Sequence, residues 1–111
     1  NYVWAWVRLA WTHLVASRYS QAPSESFKKA VQIAQKTLAL DDSDSDVHAL
    51  LGNIYSRQKR YKEAITEGKK SIDLGPTNAQ AHVLLAVTMN RVGRFDDAIG
   101  LVKKAMRLHP I

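Results

Sequence analysis

The sequence predicts an all-α fold built from pairs of antiparallel helices. One pattern is written twice at a fixed offset of 34, over residues 45–78 and 79–111. Apolar residues in both copies recur at helical spacing, and neither copy alternates as a strand would. A period of this length is typical of stacked two-helix units that cannot bury their apolar faces alone. The paired positions are His48 with His82, Leu51 with Leu85, Gly52 with Ala86, Tyr55 with Met89, Tyr61 with Phe95, Ala64 with Ala98, Leu74 with Leu108 and Pro76 with Pro110.

The repeated pattern resembles the tetratricopeptide repeat (TPR). The residues that carry the resemblance in the first copy are Leu51, Gly52, Tyr55, Ala64 and Pro76. The resemblance implies a right-handed superhelical solenoid of antiparallel helix pairs, with the first helix of each pair on a concave face. It also implies a non-catalytic protein–protein interaction module. Residues 1–111 are then a single domain of three units, over residues 1–44, 45–78 and 79–111.

The first unit departs from the period. Its first helix, over residues 1–19, aligns with the next unit at an offset of 44, which assigns Trp4 and Trp11 to the core. The same alignment places Arg8 where a small residue is expected. Its second helix, over residues 25–40, keeps the offset of 34. The difference predicts a ten-residue insertion between these two helices.

An acidic run precedes the helix that begins the second unit. Carboxylates favour the N-terminus of a helix, where the dipole and the free amides attract negative charge. The alternation of acids is also similar to a calcium loop, but Val47 replaces the required Gly and Asn53 stands in place of the bidentate Glu. Capping is the predicted role of Asp41, Asp42, Asp44 and Asp46.

Composition excludes several classes of site. The 111 residues are 46% hydrophobic and 23% charged, which is typical of a globular domain. No cysteine is present, so no disulfide, thiolate metal site or cysteine nucleophile can form, and a cytoplasmic location is expected. The most apolar stretch, residues 2–16, carries Arg8 and His13 and is shorter than the roughly 20 residues that span a bilayer. No membrane association is predicted.

The net charge of +6 raises the question of nucleic acid. The basic residues do not form one patch, because nine of them fall on the second helices at polar positions. We therefore predict a solvated outer face, and nucleic-acid binding is the less favoured alternative. The nine residues are Lys28, Lys29, Lys36, Lys62, Lys69, Lys70, Lys103, Lys104 and Arg107.

The four histidines do not indicate a metal or catalytic site. His48 and His82 are one repeat apart, at a position where the family usually has an aromatic residue, so packing is their predicted role. His13 and His109 lack candidate partners, and no nucleophile triad, phosphate loop or paired-acid motif occurs at an informative spacing. We predict no cofactor, no metal and no enzymatic activity.

The resemblance places the candidate binding residues on the first helices, which line the concave face. Asn53 and Asn90 could hydrogen-bond a peptide backbone through both amide groups, and Arg57 and Arg91 could bind a carboxylate. Apolar residues lie between them. The predicted peptide-binding row comprises Asn53, Arg57, Val83, Val87, Asn90 and Arg91.

The ends of the chain suggest self-association. The chain begins at Asn1 rather than Met and stops one residue after Pro110, so we interpret it as a segment of a longer protein. No polar helix follows to cap the last unit. Exposed apolar side chains are therefore expected there, with homo-oligomer formation as a consequence. The residues concerned are Leu101, Met106, Leu108 and Ile111.

A more specific resemblance concerns context. The aromatic-rich first helix, the enlarged first unit and the run LALDDSDSDVHALLG are similar to repeat modules appended to bacterial signalling enzymes such as class III adenylate cyclases. The alternative function is therefore a regulatory or dimerisation module of a larger enzyme. RNA binding is a further alternative, weakened because no repeated base-reading pair lies along the inner row.

Overall fold

The computed structural model describes residues 3–19 and 23–108, which form six α-helices and no strand. Consecutive helices pack in pairs, first with second, third with fourth and fifth with sixth. The predicted all-α fold of helix pairs is confirmed. The chain divides into two compact units, Asn1–Asp42 with the first pair and Ser43–Ile111 with the other two. The helices are α1 (Val3–Tyr19), α2 (Pro23–Leu40), α3 (Ser45–Arg57), α4 (Tyr61–Leu74), α5 (Ala79–Arg91) and α6 (Phe95–Leu108).

The second helix of each pair buries small side chains at the predicted repeat offset. Small residues at such positions let paired helices approach closely. The buried positions are Ala30, Ala64 and Ala98, and seven residues further along Thr37, Ser71 and Ala105. The repeat register predicted for α2, α4 and α6 therefore agrees with their burial.

The burial of α1 corrects the register predicted for the first unit. Trp4 is 69% exposed, so its assignment to the core was wrong, and Trp11 is half-buried. Arg8 is exposed while Ala10 is fully buried. The small residue of this unit is therefore Ala10, two positions after Arg8.

We infer from this burial an offset of 42 between α1 and α3, which implies eight inserted residues rather than ten. Trp6 then takes the position of His48, and like His48 it meets the second helix of its own pair. The Nζ of Lys36 on α2 lies 4.7 Å from the centroid of the Trp6 ring. The sequence was ambiguous because Trp4 and Trp6 can each be set on the aromatic position.

One core cluster of the unit Ser43–Ile111 lies between α4, α5 and α6. A cluster of buried residues on α5 and α6 is flanked by half-buried apolar residues from α4 and α6. The cluster consists of Leu85, Ala86, Met89 and Ala98, with Ile65, Ile72 and Leu101 packed against it. The pair formed by α5 and α6 is thus packed on the pair formed by α3 and α4 through α5, which contacts both α3 and α4.

Two glycines make the close contacts in this unit possible. A Cβ atom at Gly52 would lie 3.3 Å from the carbonyl oxygen of Ala64, so α3 and α4 meet almost backbone to backbone. A Cβ atom at Gly68 would lie only 2.7 Å from Cδ1 of Leu85, so the missing side chain makes room for α5. Gly52 is one of the residues that carry the repeat pattern, whereas Gly68 is not.

The caps of α3 and α5 recur at the repeat offset. The Asp44 carboxylate accepts hydrogen bonds from the backbone N–H groups of Asp46 at 2.8 Å and Val47 at 3.3 Å. The capping role predicted for the acidic run is therefore confirmed at Asp44. Asn78, one repeat later, accepts a hydrogen bond from the backbone N–H of Ala81 at 3.4 Å.

The turns inside the two full repeats share a left-handed residue. Gly93 has φ +82°, a left-handed conformation that glycine commonly adopts after the end of a helix. Lys59, at the equivalent position of the preceding repeat, has φ 64° and was not predicted. In both turns the backbone N–H of the next residue donates a hydrogen bond to a carbonyl oxygen near the end of the preceding helix. Arg60 donates to Tyr55 and Arg94 donates to Met89, each at 2.9 Å.

Candidate functional site

The six predicted binding residues lie on α3 and α5 in the unit Ser43–Ile111. Asn53 and Arg57 on α3 are half-buried. The four on α5, namely Val83, Val87, Asn90 and Arg91, are exposed. Two exposed valines on a helix that is otherwise well packed leave apolar surface open to a ligand.

A hydrogen bond joins the two helices within this row. Nη1 of Arg91 donates to the Oγ of Ser56 at 2.6 Å, and Ser56 is buried. Ser56 is not one of the six predicted binding residues. A guanidinium has five N–H donors, so Arg91 keeps donors for an incoming carboxylate while Ser56 orients it.

Val83, Val87 and Asn90 are brought together in an open groove of about 570 Å³ between α5 and α6. Its other wall consists of residues that sequence reasoning did not assign to the site. Their signal was present in the sequence, because apolar residues of α6 recur at intervals of four, three and four. The residues contributed by α6 are Phe95, Ala98, Ile99, Val102 and Lys103.

Asn53 lies apart from this groove. It lines a narrow crevice with Gly52 and Gly68, at the junction of α3, α4 and α5, which is too small to hold a water molecule. Of the six predicted residues, three therefore line the groove and Asn53 lines a closed junction, while Arg57 and Arg91 line neither.

The surface expected at the end of the last unit is partly as predicted. Met106 is 64% exposed, whereas Leu101 is half-buried against the core cluster and Leu108 is half-buried. Ile111, like Tyr2 and Pro110, lies outside the described residues. The larger exposed set on α6, Phe95 with Ile99 and Val102, was not predicted.

Both repeat histidines are packing residues. His48 is 1% exposed, and its Nδ1 lies 2.6 Å from Oε2 of Glu67 on α4. His82 is also buried, with its Nδ1 3.0 Å from the carbonyl oxygen of Asn78. Within residues 3–19 and 23–108, no group of three or more His, Cys, Asp or Glu side chains could hold a metal ion.

The surface charge follows the predicted distribution. All nine basic residues named for the second helices are exposed. Among the described helices, none combines the length and apolar character needed to cross a bilayer.

The comparisons with known proteins identify the family. The model of the family described as anaphase-promoting complex, cyclosome, subunit 3 matches residues 24–105, well over half of the chain. The chain therefore belongs to this family, whose repeats are of the tetratricopeptide type. None of the curated proteins matches the sequence.

Solved structures share the fold at low sequence identity. A thermophilic TPR protein of Thermus thermophilus has a TM-score of 0.84 at 17% identity, over 97% of this chain and 57% of that one. The second TPR of Spaghetti (RPAP3), bound to the HSP90 peptide SRMEEVD, has a TM-score of 0.67 at 15% identity, over 93% and 94%. YrrB, described as a TPR protein with an unusual peptide-binding site, has a TM-score of 0.67 at 21% identity, over 78% and 44%.

These likenesses establish the tetratricopeptide repeat fold. The chain spans little more than half of the Thermus protein and less than half of YrrB. The resemblance to modules attached to adenylate cyclases stays a prediction, since neither the family nor these structures bears on it.

Proposed function

We propose that this chain is a non-catalytic interaction module that binds a peptide or protein segment along α3 and α5 and in the groove between α5 and α6. The observation that supports it is the convergence of Val83, Val87 and Asn90 on an open groove with an apolar far wall. Concave apolar surface with a few polar groups is the usual form of a ligand site.

The polar groups define the chemistry of the ligand. Asn90 has an amide that donates and accepts, so it can pair with either group of a peptide backbone. Arg91, oriented by Ser56, and Arg57 can each form charge-assisted hydrogen bonds with a carboxylate. The expected ligand is therefore a polypeptide with an apolar side chain for the groove and an acidic group beside it.

Two of the structural neighbours support a polypeptide ligand. Spaghetti is described as bound to a peptide, and YrrB as having a peptide-binding site. Those descriptions concern the neighbours, and their low identity to this chain transfers the fold alone.

The test is a selection from a random peptide display library on the immobilised chain, followed by affinity measurements on variants. Arg57→Glu combined with Arg91→Glu should weaken binding of a selected acidic peptide about tenfold or more. Circular dichroism should show that the fold is kept despite the loss of the hydrogen bond to Ser56. Lys69→Glu combined with Lys70→Glu, two exposed residues of α4, makes the same change in charge and should have little effect. The reverse pattern would move the site to the outer face and favour the nucleic-acid alternative.

The alternative role, a regulatory or dimerisation module in a larger bacterial signalling enzyme, uses the same surfaces. It is distinguished by a catalytic domain upstream of Asn1 in the full gene product. A cytoplasmic location is part of the proposal because the chain has no cysteine.

A further inference from the structure

One face of α6 exposes a row of four apolar side chains. Phe95 is 59% exposed, and Ile99, Val102 and Met106 follow at intervals of four, three and four residues on the same face. Phe95, Ile99 and Val102 belong to the wall of the groove, and Met106 extends the row beyond it. We call these four residues the α6 row.

The same row exists in α4, one repeat earlier, and there it is covered. Its members are Tyr61, Ile65, Gly68 and Ile72. Ile65 and Ile72 pack against the core cluster of α5, so the first helix of the following repeat covers them. The molecule itself thus shows what kind of element fits such a row.

α5 covers α4 with a particular set of three residues. Ala81, Leu85 and Thr88 are all buried, and Leu85 occupies the space above Gly68. Their spacing of four and three residues puts them on one face of α5. We call Ala81, Leu85 and Thr88 the docking triple.

α1 carries the same three residue types at the same spacing. In the register inferred above, Ala5, Leu9 and Thr12 correspond to the docking triple of α5. Leu9 is 42% exposed and Thr12 is exposed, whereas their counterparts are buried. Oγ1 of Thr12 donates to the carbonyl oxygen of Arg8 at 3.0 Å, so its hydroxyl is satisfied and its methyl group is free to pack.

We propose that α1 of a second copy of this chain docks on the α6 row, with Leu9 above Val102 as Leu85 lies above Gly68. The contact joins two different surfaces, so it is heterologous and extends head to tail. This proposal rests on the proposed function, because it names a second copy of the chain as one occupant of the binding surface between α5 and α6.

The proposed contact between α1 and α6 differs from the contact between α5 and α4, and these differences determine its strength. Val102 stands where α4 has Gly68, so Leu9 cannot approach as closely as Leu85 does. Arg8 beside Leu9 and Lys103 beside Val102 are both cations, so their repulsion opposes docking and added salt screens it. A weak association that strengthens with salt is expected.

Sedimentation equilibrium over a concentration series tests the pairing of the two faces. Leu9→Glu blocks the α1 face and Met106→Glu blocks the α6 row, so each variant alone should be monomeric. An equimolar mixture should form a one-to-one dimer, because each variant retains one intact face. Val15→Glu, at an exposed position of α1 outside the triple, is the matched control and should associate like the parent chain.

A second variant increases the contact. Val102→Gly recreates the arrangement of Gly68 and Leu85, so it should lower the dissociation constant severalfold, with circular dichroism confirming the fold. An α6-to-α6 contact would instead be weakened by this change, and Leu9→Glu would then still associate. Either result, or a parent chain that stays monomeric at every concentration and salt, overturns the proposal. Binding of display-selected peptides by that monomer would leave the proposed function intact.

Discussion

The two full repeats, residues 45–78 and residues 79–108 of the described chain, have the same local devices but different surroundings. Asp44 and Asn78 cap their first helices, and Lys59 and Gly93 take left-handed conformations in their turns. The second helices differ in exposure, because α5 covers the apolar row of α4 while the corresponding row of α6 is open. Local sequence thus determines where helices begin and end, and the neighbouring helix determines which faces are buried.

The largest expected effect comes from Gly68→Val. This substitution gives the apolar row of α4 the side chain that the α6 row has at Val102. Because a Cβ atom at position 68 would lie 2.7 Å from Leu85 Cδ1, overpacking should lower the free energy of unfolding by about 1 to 3 kcal/mol. Urea denaturation followed by circular dichroism measures the change.

The matched control for this exchange is Gly100→Ala on α6. A Cβ atom at Gly100 meets nothing within 4 Å, so alanine should raise the free energy of unfolding by about 0.5 to 1 kcal/mol through helix propensity. If Gly68→Val were as harmless as Gly100→Ala, α5 would not pack on α4 as described.

A smaller effect concerns the two left-handed turns. Lys59→Gly should raise the free energy of unfolding by about 1 kcal/mol, since a side chain at φ 64° is strained and glycine is not. Gly93→Lys should lower it by a similar amount. Effects near zero at both positions in thermal or urea unfolding would contradict the strain assigned to a side chain in these left-handed conformations.

The smallest effect concerns the ion pairs that follow these turns, Arg60 with Glu63 and Arg94 with Asp97. The hydrogen bond from Arg60 lowers the pKa of Glu63 below its ordinary value. A lowered pKa in the folded state adds stability above the unfolded pKa, and this contribution is lost as the pH falls through the folded pKa. Because the side chains of Arg60 and Glu63 are exposed, solvent screens the pair and little stability is involved.

An NMR titration of the Glu63 carboxyl measures this effect directly. Its pKa should lie below the ordinary value for glutamate, and Arg60→Ala should raise it towards that value. A titration unchanged by Arg60→Ala would show that the pair does not form in solution.

The sequence predicted most of the fold because its signals are local or periodic. The repeat offset fixed the register of α2 to α6, and the capping role of Asp44 was recognisable from its chemistry. Trp4 was misassigned because the inserted residues remove the period from α1 and two tryptophans fit the aromatic position. Gly68 was missed because its role depends on Leu85, which lies on a different helix in the following repeat.

The candidate site was predictable only in part. Helical spacing placed Val83, Val87 and Asn90 correctly on one exposed face of α5. The wall formed by α6 was missed, because its apolar spacing alone cannot distinguish a covered row, as in α4, from an open one. The bond from Arg91 to Ser56 joins different repeats and has no local signal.

Methyl-selective NMR of the chain, titrated with a display-selected peptide, decides whether the open groove is the binding surface. Valine, leucine and isoleucine methyl groups report on the open and covered faces at once. We expect shift changes at Val83, Val87, Ile99 and Val102, with little change at Ile65 and Ile72, which α5 covers. Shift changes confined to methyl groups outside α5 and α6 would contradict the account, because the peptide would then bind away from the open groove.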